Sequence, residues 1–325
     1  MVNKEKILIL GSGYMAKEYI KVISELQYEI VIISKSKRNF DYFKSNYDNV
    51  SLYSTSEIST YNKIRFSDFS FAINCVSIEK LFETTKEIIQ LGVKKVLIEK
   101  PGTLSVSDLD KLIEIKNFKN ANVYIALNRR FYASTIFLKN RLKSSTVSSA
   151  TFDFTEWIKS IELNNYSNKS LNNWLYCNSI HVIDLFFYIL GNYKEMTSKV
   201  LGVNKLNWHS TSSIFFGTGI LENDIPFSYK SDWNGPGRWA IEIVTKKEKY
   251  ILSPLEKVQE LGLDDFIIRQ PNIDYEDDLK YKPGLKKMIF AFIKNDFAEF
   301  NSLEDQKLLF KTLDRIGNYN VIINQ

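Results

Sequence analysis

The run Lys6-Ile7-Leu8-Ile9-Leu10-Gly11-Ser12-Gly13-Tyr14-Met15-Ala16 constrains the fold of this chain more than any other feature. A short apolar strand passes directly into a glycine-rich turn, and a helical pattern of Ala16, Tyr19, Ile20, Val22 and Ile23 follows. Gly11 permits the tight turn, Gly13 lets the backbone approach a pyrophosphate, and Ala16 allows close helix–strand packing. The amides of the helix N-terminus then face the anion. A glycine triplet alone says little; the strand before it and the helix after it give this one its meaning. Gly11, Ser12, Gly13, Tyr14 and Met15 are therefore candidate dinucleotide contacts, against the alternative of an ordinary strand–helix turn.

Strand patterns recur at 5–10, 29–34, 71–76, 95–98 and 123–127, with helical patterns near 14–26, 38–46, 79–91 and 106–116 between them. Such alternation implies a parallel sheet with helices on both faces. The texture changes after about residue 145. Strand-like runs at 149–154, 212–216, 240–245 and 249–252 flank one helical pattern at 178–190, and helices return near 284–296 and 303–317. The turn formers of Trp233-Asn234-Gly235-Pro236-Gly237-Arg238-Trp239 read as a hairpin connection. The expected fold is α/β, with a dinucleotide-binding domain over 1–122. An α+β domain with a largely antiparallel open sheet is expected over 123–325, where substrate binding and oligomerisation would reside.

A chain of 325 residues is long enough for two such cores. Its 44% hydrophobic and 25% charged content is that of a soluble globular protein. The net charge of +5 is spread rather than blocked, which argues against nucleic acid as a partner. No apolar run is long enough to span a bilayer, so no membrane partner is expected. Two distant cysteines, Cys75 and Cys177, form no metal pattern and point to a reducing, cytoplasmic setting.

The second strand ends about twenty residues after the glycine turn, where a dinucleotide fold reads the ribose. An acidic residue there selects NAD(H) by taking the 2′-hydroxyl. This chain has Ser34-Lys35-Ser36-Lys37-Arg38 instead. A hydroxyl followed by cations suits a 2′-phosphate, which a carboxylate would repel. NADP(H) is therefore favoured with NAD(H) possible, and Ser34, Lys35 and Arg38 are the reading residues. A basic solvated loop is the alternative. A fourth segment, Val96-Leu97-Ile98-Glu99-Lys100-Pro101, is a buried-type strand ending in Glu-Lys-Pro, at the sheet end where ligands bind.

The glycine turn, Glu-Lys-Pro, and His181-Val182-Ile183-Asp184-Leu185 followed by Leu190-Gly191 together resemble the Gfo/Idh/MocA oxidoreductases. Leu127-Asn128-Arg129-Arg130-Phe131 is similar to that family's segment entering the second domain. Ser253-Pro254-Leu255-Glu256 and Tyr281-Lys282-Pro283-Gly284 resemble later landmarks of members associated with surface-polysaccharide sugars. The resemblance implies a Rossmann domain followed by a substrate domain, a homo-oligomer, and hydride exchange with a sugar or nucleotide-linked sugar. It also implies Lys100 and His181 as the catalytic pair, with Cys75, Val76, Glu99 and Lys100 at the cofactor. Lys100, Arg129, Asn178 and His181 would meet the substrate. The chemistry is coherent, since alcohol oxidation needs a base near neutrality and a group to steady the alkoxide.

The chain departs from the family pattern in two places. Many members carry an acid four positions before the histidine, where this chain has Cys177, and Ser179 stands where glycine is common. Cys75-Val76-Ser77 replaces the usual Thr-Pro or Asn-Pro. The first departure keeps open a non-catalytic dinucleotide-binding sensor or regulator. A reductase of a non-sugar substrate such as a linear tetrapyrrole is the third reading. Asp184 is either a second support for the histidine helix or a structural hydrogen-bond partner. Arg129 and Arg130 meet either a substrate anion or an interdomain carboxylate. His209 is expected to be structural.

Overall fold

The computed structural model describes residues 5–54, 64–161 and 163–319. Its first stretch runs β1 (Lys6–Leu10), α1 (Tyr14–Ile23), β2 (Glu29–Ser34), α2 (Phe40–Asn46) and β3 (Val50–Ser54). It continues through β4 (Phe69–Asn74), α3 (Leu81–Gln90), β5 (Lys95–Glu99), α4 (Val106–Phe118) and β6 (Asn122–Ala126). The six strands pair in parallel in the order β6-β5-β4-β1-β2-β3. Helices cover such a sheet on both faces, so its central strands are apolar throughout rather than alternating. Ile7, Leu8, Ile9, Val96, Leu97 and Ile98 are all fully buried. α1 turns Ala16, Tyr19, Ile20, Val22 and Ile23 into the core, the stripe its spacing specifies.

The chain then forms α5 (Ala133–Leu142), β7 (Val147–Phe154), α6 (Asn168–Asn172), a π-helical turn at Leu175–Ser179 and α7 (Ile180–Leu190). Five strands follow: β8 (Tyr193–Leu201), β9 (Ile214–Leu221), β10 (Pro226–Asp232), β11 (Trp239–Thr245) and β12 (Glu248–Leu252), with β13 (Gln259–Gly262) completing the sheet. The order is β13-β12-β11-β7-β10-β9-β8, antiparallel throughout except where β10 runs parallel to β7. The expected hairpin at Trp233–Trp239 is thereby corrected. β7 lies between β10 and β11, so the segment crosses over a strand instead of joining neighbours. Turn formers mark where a chain reverses, but not which strand it returns beside.

The remaining elements are α8 (Glu276–Lys280), α9 (Leu285–Ile293), β14 (Asn301–Ser302) and α10 (Leu303–Gly317). β14 adds antiparallel to β6 and so belongs to the first sheet. Two compact units result, 1–128 with 277–307 and 129–276 with 308–325. The first unit thus includes β6, which the division at 122/123 had assigned to the second. α9 packs on α1, and Phe292 meets Phe71 edge-on with ring centroids 5.6 Å apart. In the second unit, the apolar α7 lies against β7 and β11. Among the described residues, no helix is long and apolar enough to cross a membrane.

Candidate functional site

In the first unit the chain ends of β1, β2 and β4 converge. Gly11 leaves β1 at φ +102°, and its amide donates to the Ile33 carbonyl at 2.9 Å. A Cβ there would lie 2.8 Å from the Cys75 carbonyl oxygen, so only glycine fits. Gly13 caps α1 in extended conformation, and a Cβ built on it meets nothing within 4 Å. Its side-chain space is open, as close approach of a pyrophosphate requires. A cavity of about 810 Å³ is lined by Gly11 to Met15, by Ser34, Lys35 and Arg38, and by Cys75 and Val76. Ten of the expected cofactor residues therefore share one cavity. Glu99 and Lys100 do not line it.

The loop after β2, expected from sequence to read the ribose, is locked by its own hydroxyls. Ser12 Oγ lies 3.0 Å from Ser34 Oγ and donates to the Ser36 carbonyl at 3.1 Å. Ser36 Oγ accepts from the Arg38 amide, and Asn39, at φ 65°, donates its side-chain amide to the Ser12 carbonyl at 2.7 Å. Ser34 is thus buried in loop structure, while Lys35 and Arg38 are exposed. The carboxylates of this cavity, Glu83 and Glu87, come from α3 rather than from the end of β2. Sequence reasoning missed Ser36, Asn39 and these acids, because nothing in residue type alone marks a side chain that braces a neighbouring loop.

The Cys75-Val76-Ser77 segment, lacking the family's proline, is held differently. Buried Asn74 donates to Thr84 Oγ1 at 2.7 Å, Thr85 Oγ1 at 2.8 Å and the Leu81 carbonyl at 3.1 Å. The Cys75 thiol donates to the Leu10 carbonyl at 3.2 Å, and burial pushes its pKa up, so it remains a protonated packing group.

At the end of β5, the Tyr19 hydroxyl donates to Glu99 Oε1 at 2.6 Å. Burial raises the Glu99 carboxyl above the ordinary range, opposed by Tyr19, Lys100 and Lys282. The Lys100–Pro101 peptide is cis, and Gln306 donates to the Pro101 carbonyl at 2.9 Å. Lys282, in the later Tyr-Lys-Pro-Gly landmark, stands 5.4 Å from the Tyr14 ring centroid. Asn128 donates to the Pro283 carbonyl at 2.9 Å. That landmark therefore returns to the dinucleotide side of the chain.

In the second unit His181 sits in the first turn of α7, 8% exposed, its ring 6.1 Å from that of Trp239. Arg129 lies 5.0 Å over the Trp239 ring, with its Nε buried and without a hydrogen-bond partner. Arg130 is committed elsewhere, donating from Nε to Asp184 Oδ2 at 2.9 Å and from Nη2 to Oδ1 at 2.5 Å. The arginine pair thus divides, Arg130 bracing α7 and Arg129 keeping donor capacity beside Trp239 and His181.

Next to them a cavity of about 520 Å³ is walled by Glu156, Trp157, Asn178, Arg238, Trp239 and Glu256, among others. The Arg238 guanidinium lies 4.2 Å over the Trp157 ring. Aromatic faces with carboxylate and amide acceptors are the chemistry that holds a hydroxyl-rich ring. Trp174, Trp208 and Trp233 instead pack into the core. His209 is buried among them, with Nδ1 2.7 Å from the Ser212 carbonyl and Nε2 3.0 Å from the Tyr319 hydroxyl. Burial lowers its pKa to about 4, so it stays neutral and structural.

Residues 5–127 match the profile of the Gfo/Idh/MocA oxidoreductase family, NAD-binding Rossmann fold. No curated protein sequence matches the chain. Among solved structures, a dehydrogenase (MviM) from Clostridium difficile is 18% identical, with TM-score 0.77 over 97% of this chain and 99% of its own. UDP-N-acetylglucosamine 3-dehydrogenase GnnA from Acidithiobacillus ferrooxidans is 10% identical, with TM-score 0.72 over 97% of each chain. The super-repressor mutant of Gal80p from Saccharomyces cerevisiae is 13% identical, with TM-score 0.76 over 98% of this chain and 96% of its own. These three share the fold: a parallel dinucleotide-type sheet joined to a mostly antiparallel one.

Proposed function

We propose that this protein, whose residues 5–127 match the profile of the Gfo/Idh/MocA oxidoreductases, is an NADP(H)-favouring oxidoreductase. It interconverts a secondary alcohol and a ketone on a sugar or nucleotide-linked sugar, in the synthesis of glycan or surface-polysaccharide precursors. The observation that carries the reading is the single cavity joining Gly11, Gly13, Ser34, Lys35 and Arg38. With no carboxylate at the end of β2, and three exposed cations there in Lys35, Lys37 and Arg38, the loop suits a 2′-phosphate. The open space at Gly13 and the tight contact at Gly11 fit the pyrophosphate. A bound nicotinamide would supply hydride exchange. His181 holds or releases the hydroxyl proton, Lys100 steadies the oxygen, and Arg129 and Asn178 orient the ring.

A parallel fluorescence titration tests the cofactor. NADPH is expected to bind at least tenfold more tightly than NADH, and Lys35→Asp to narrow or reverse that ratio. NADH preference in the wild type would sink the phosphate reading while leaving the oxidoreductase.

A non-catalytic dinucleotide-binding sensor is the second reading, favoured by Cys177, a buried thiol where many relatives carry an acid. It gains if folded, cofactor-loaded protein turns over none of a panel of keto sugars and nucleotide sugars. We also propose a homo-oligomer in the cytoplasm, where the two buried free thiols would stay reduced. Light scattering at micromolar concentration should give a mass of at least two chains; a monomer would refute the oligomer.

A further inference from the structure

The π-helical turn Leu175–Ser179 runs straight into α7, so the last turn before His181 is wider than an α-turn. Position 177, four residues before the histidine, lies within this turn. It holds a thiol that is 2% exposed. A carboxylate does reach this turn, but from a different element. Glu156 lies just past the end of β7 and is 5% exposed. Its Oε1 accepts from Ser179 Oγ at 2.6 Å, and its Oε2 accepts from Asn178 Nδ2 at 2.8 Å. Both oxygens thus clamp consecutive residues, the second of them two positions before His181.

The clamp is itself anchored. The Thr155 amide donates to Asp153 Oδ1 at 2.8 Å, and Thr155 Oγ1 accepts from the Asp232 amide at 3.0 Å. The Glu156 and Asn178 side chains and Trp239, the ring neighbour of His181, line one cavity.

We infer that Glu156 is the positioning residue for His181, fixing the π-turn that presents the imidazole and supplying the negative charge that Cys177 lacks. This rests on His181 being the proton-transferring group proposed above. The other charges around α7 are already engaged or more distant in role. Asp184, on the same helix, is paired with Arg130. Asp153 on β7 and Glu242 on β11 pair with Lys230 and Lys249. Arg129 stands over Trp239, and Arg238 and Glu256 line the cavity. Asp314 on α10 accepts from the Tyr176 hydroxyl earlier in the turn, so Glu156 is the carboxylate bonded to the two turn residues nearest His181.

The chain has two histidines, so 15N-histidine-labelled protein resolves them without any substrate. Burial lowers the His209 pKa to about 4 and its bonds to Ser212 and Tyr319 mark its ring, so the second set of ring resonances is assigned to His181. Removing a nearby negative charge disfavours the imidazolium, so Glu156→Gln should lower the His181 midpoint by about one pH unit. Glu156→Asp, which keeps the charge but draws it back, should lower it less. Cys177→Ser should leave it in place. Unmoved ring resonances of His209, which lies in the same unit bonded to Ser212 and Tyr319, report that each variant is folded. An unchanged midpoint in folded Glu156→Gln, or in folded Glu156→Asp should the glutamine variant not fold, overturns the inference if the His181 ring resonances are also unmoved. A shifted midpoint in protein that turns over no sugar would uphold the positioning role and count against the oxidoreductase reading alone.

Discussion

With His181 as the proton-transferring group proposed above, replacing it by alanine is expected to lower kcat by roughly 10²–10⁴-fold while NADPH binds as before. The two halves of that result come from different units. His181 stands on α7 in the second unit, whereas the dinucleotide cavity is lined wholly by first-unit residues. Imidazole is the side chain whose proton changes hands near neutral pH, so its loss removes the group that takes the hydroxyl proton. Stopped-flow hydride transfer with the reacting sugar reads the first half, and NADPH fluorescence the second. Turnover within a factor of two of wild type would remove His181 from the reaction. Equal loss of NADPH binding would mean the substitution had damaged the fold.

Asp184→Ala is the largest expected stability loss, about 3–5 kcal/mol. The Asp184 side chain is 3% exposed and that of Arg130 12%, joined by two hydrogen bonds. Removing the carboxylate strips a guanidinium in a nearly dry site of two hydrogen bonds and the charge paired with them. Urea unfolding followed by circular dichroism should show the loss. A companion replacing both groups by apolar residues of similar volume should recover much of it, because the cost lies in the abandoned charge. Loss below 1 kcal/mol in the single variant would mean that water reaches Arg130. The pair also answers the question the sequence left open for Asp184, whose bonds here are structural.

The first unit was legible because its signals are local. The apolar run Lys6–Leu10, Gly11 and Gly13, and the stripe on α1 lie within one strand–turn–helix. β3 escaped notice: Val50–Ser54 is an edge strand with no fully buried residue and two serines, so neither alternation nor an apolar run marks it. Long-range choices were equally hidden. Residue types could not reveal that β7 separates β10 from β11, or that β14 closes onto β6. The same holds within the sites. Ser34 was visible as a candidate at the end of β2, but its tie to Ser12 depends on two segments meeting. The missing acid at Cys177 was visible in one dimension, whereas Glu156 is brought to that turn only by the end of β7.

The return of residues 277–307 to the first unit sets an order for events at the ribosome. β1 to β6 leave the exit tunnel early, when Phe71 has Tyr28 on one side but not its later neighbour, and Tyr124 lacks both Phe297 and Phe300. Their partners are Phe292, against Phe71, and Phe297, stacked on Tyr124 at 4.4 Å. Synthesis from Asn128 to Lys307 takes roughly 10–35 s at ribosomal speed. Throughout that interval the nascent dinucleotide sheet carries bare apolar surface while the antiparallel sheet is made behind it. The first unit therefore closes only after most of the second has been made, and the second in turn waits for the segment that begins at Leu308 and brings Tyr319 to His209.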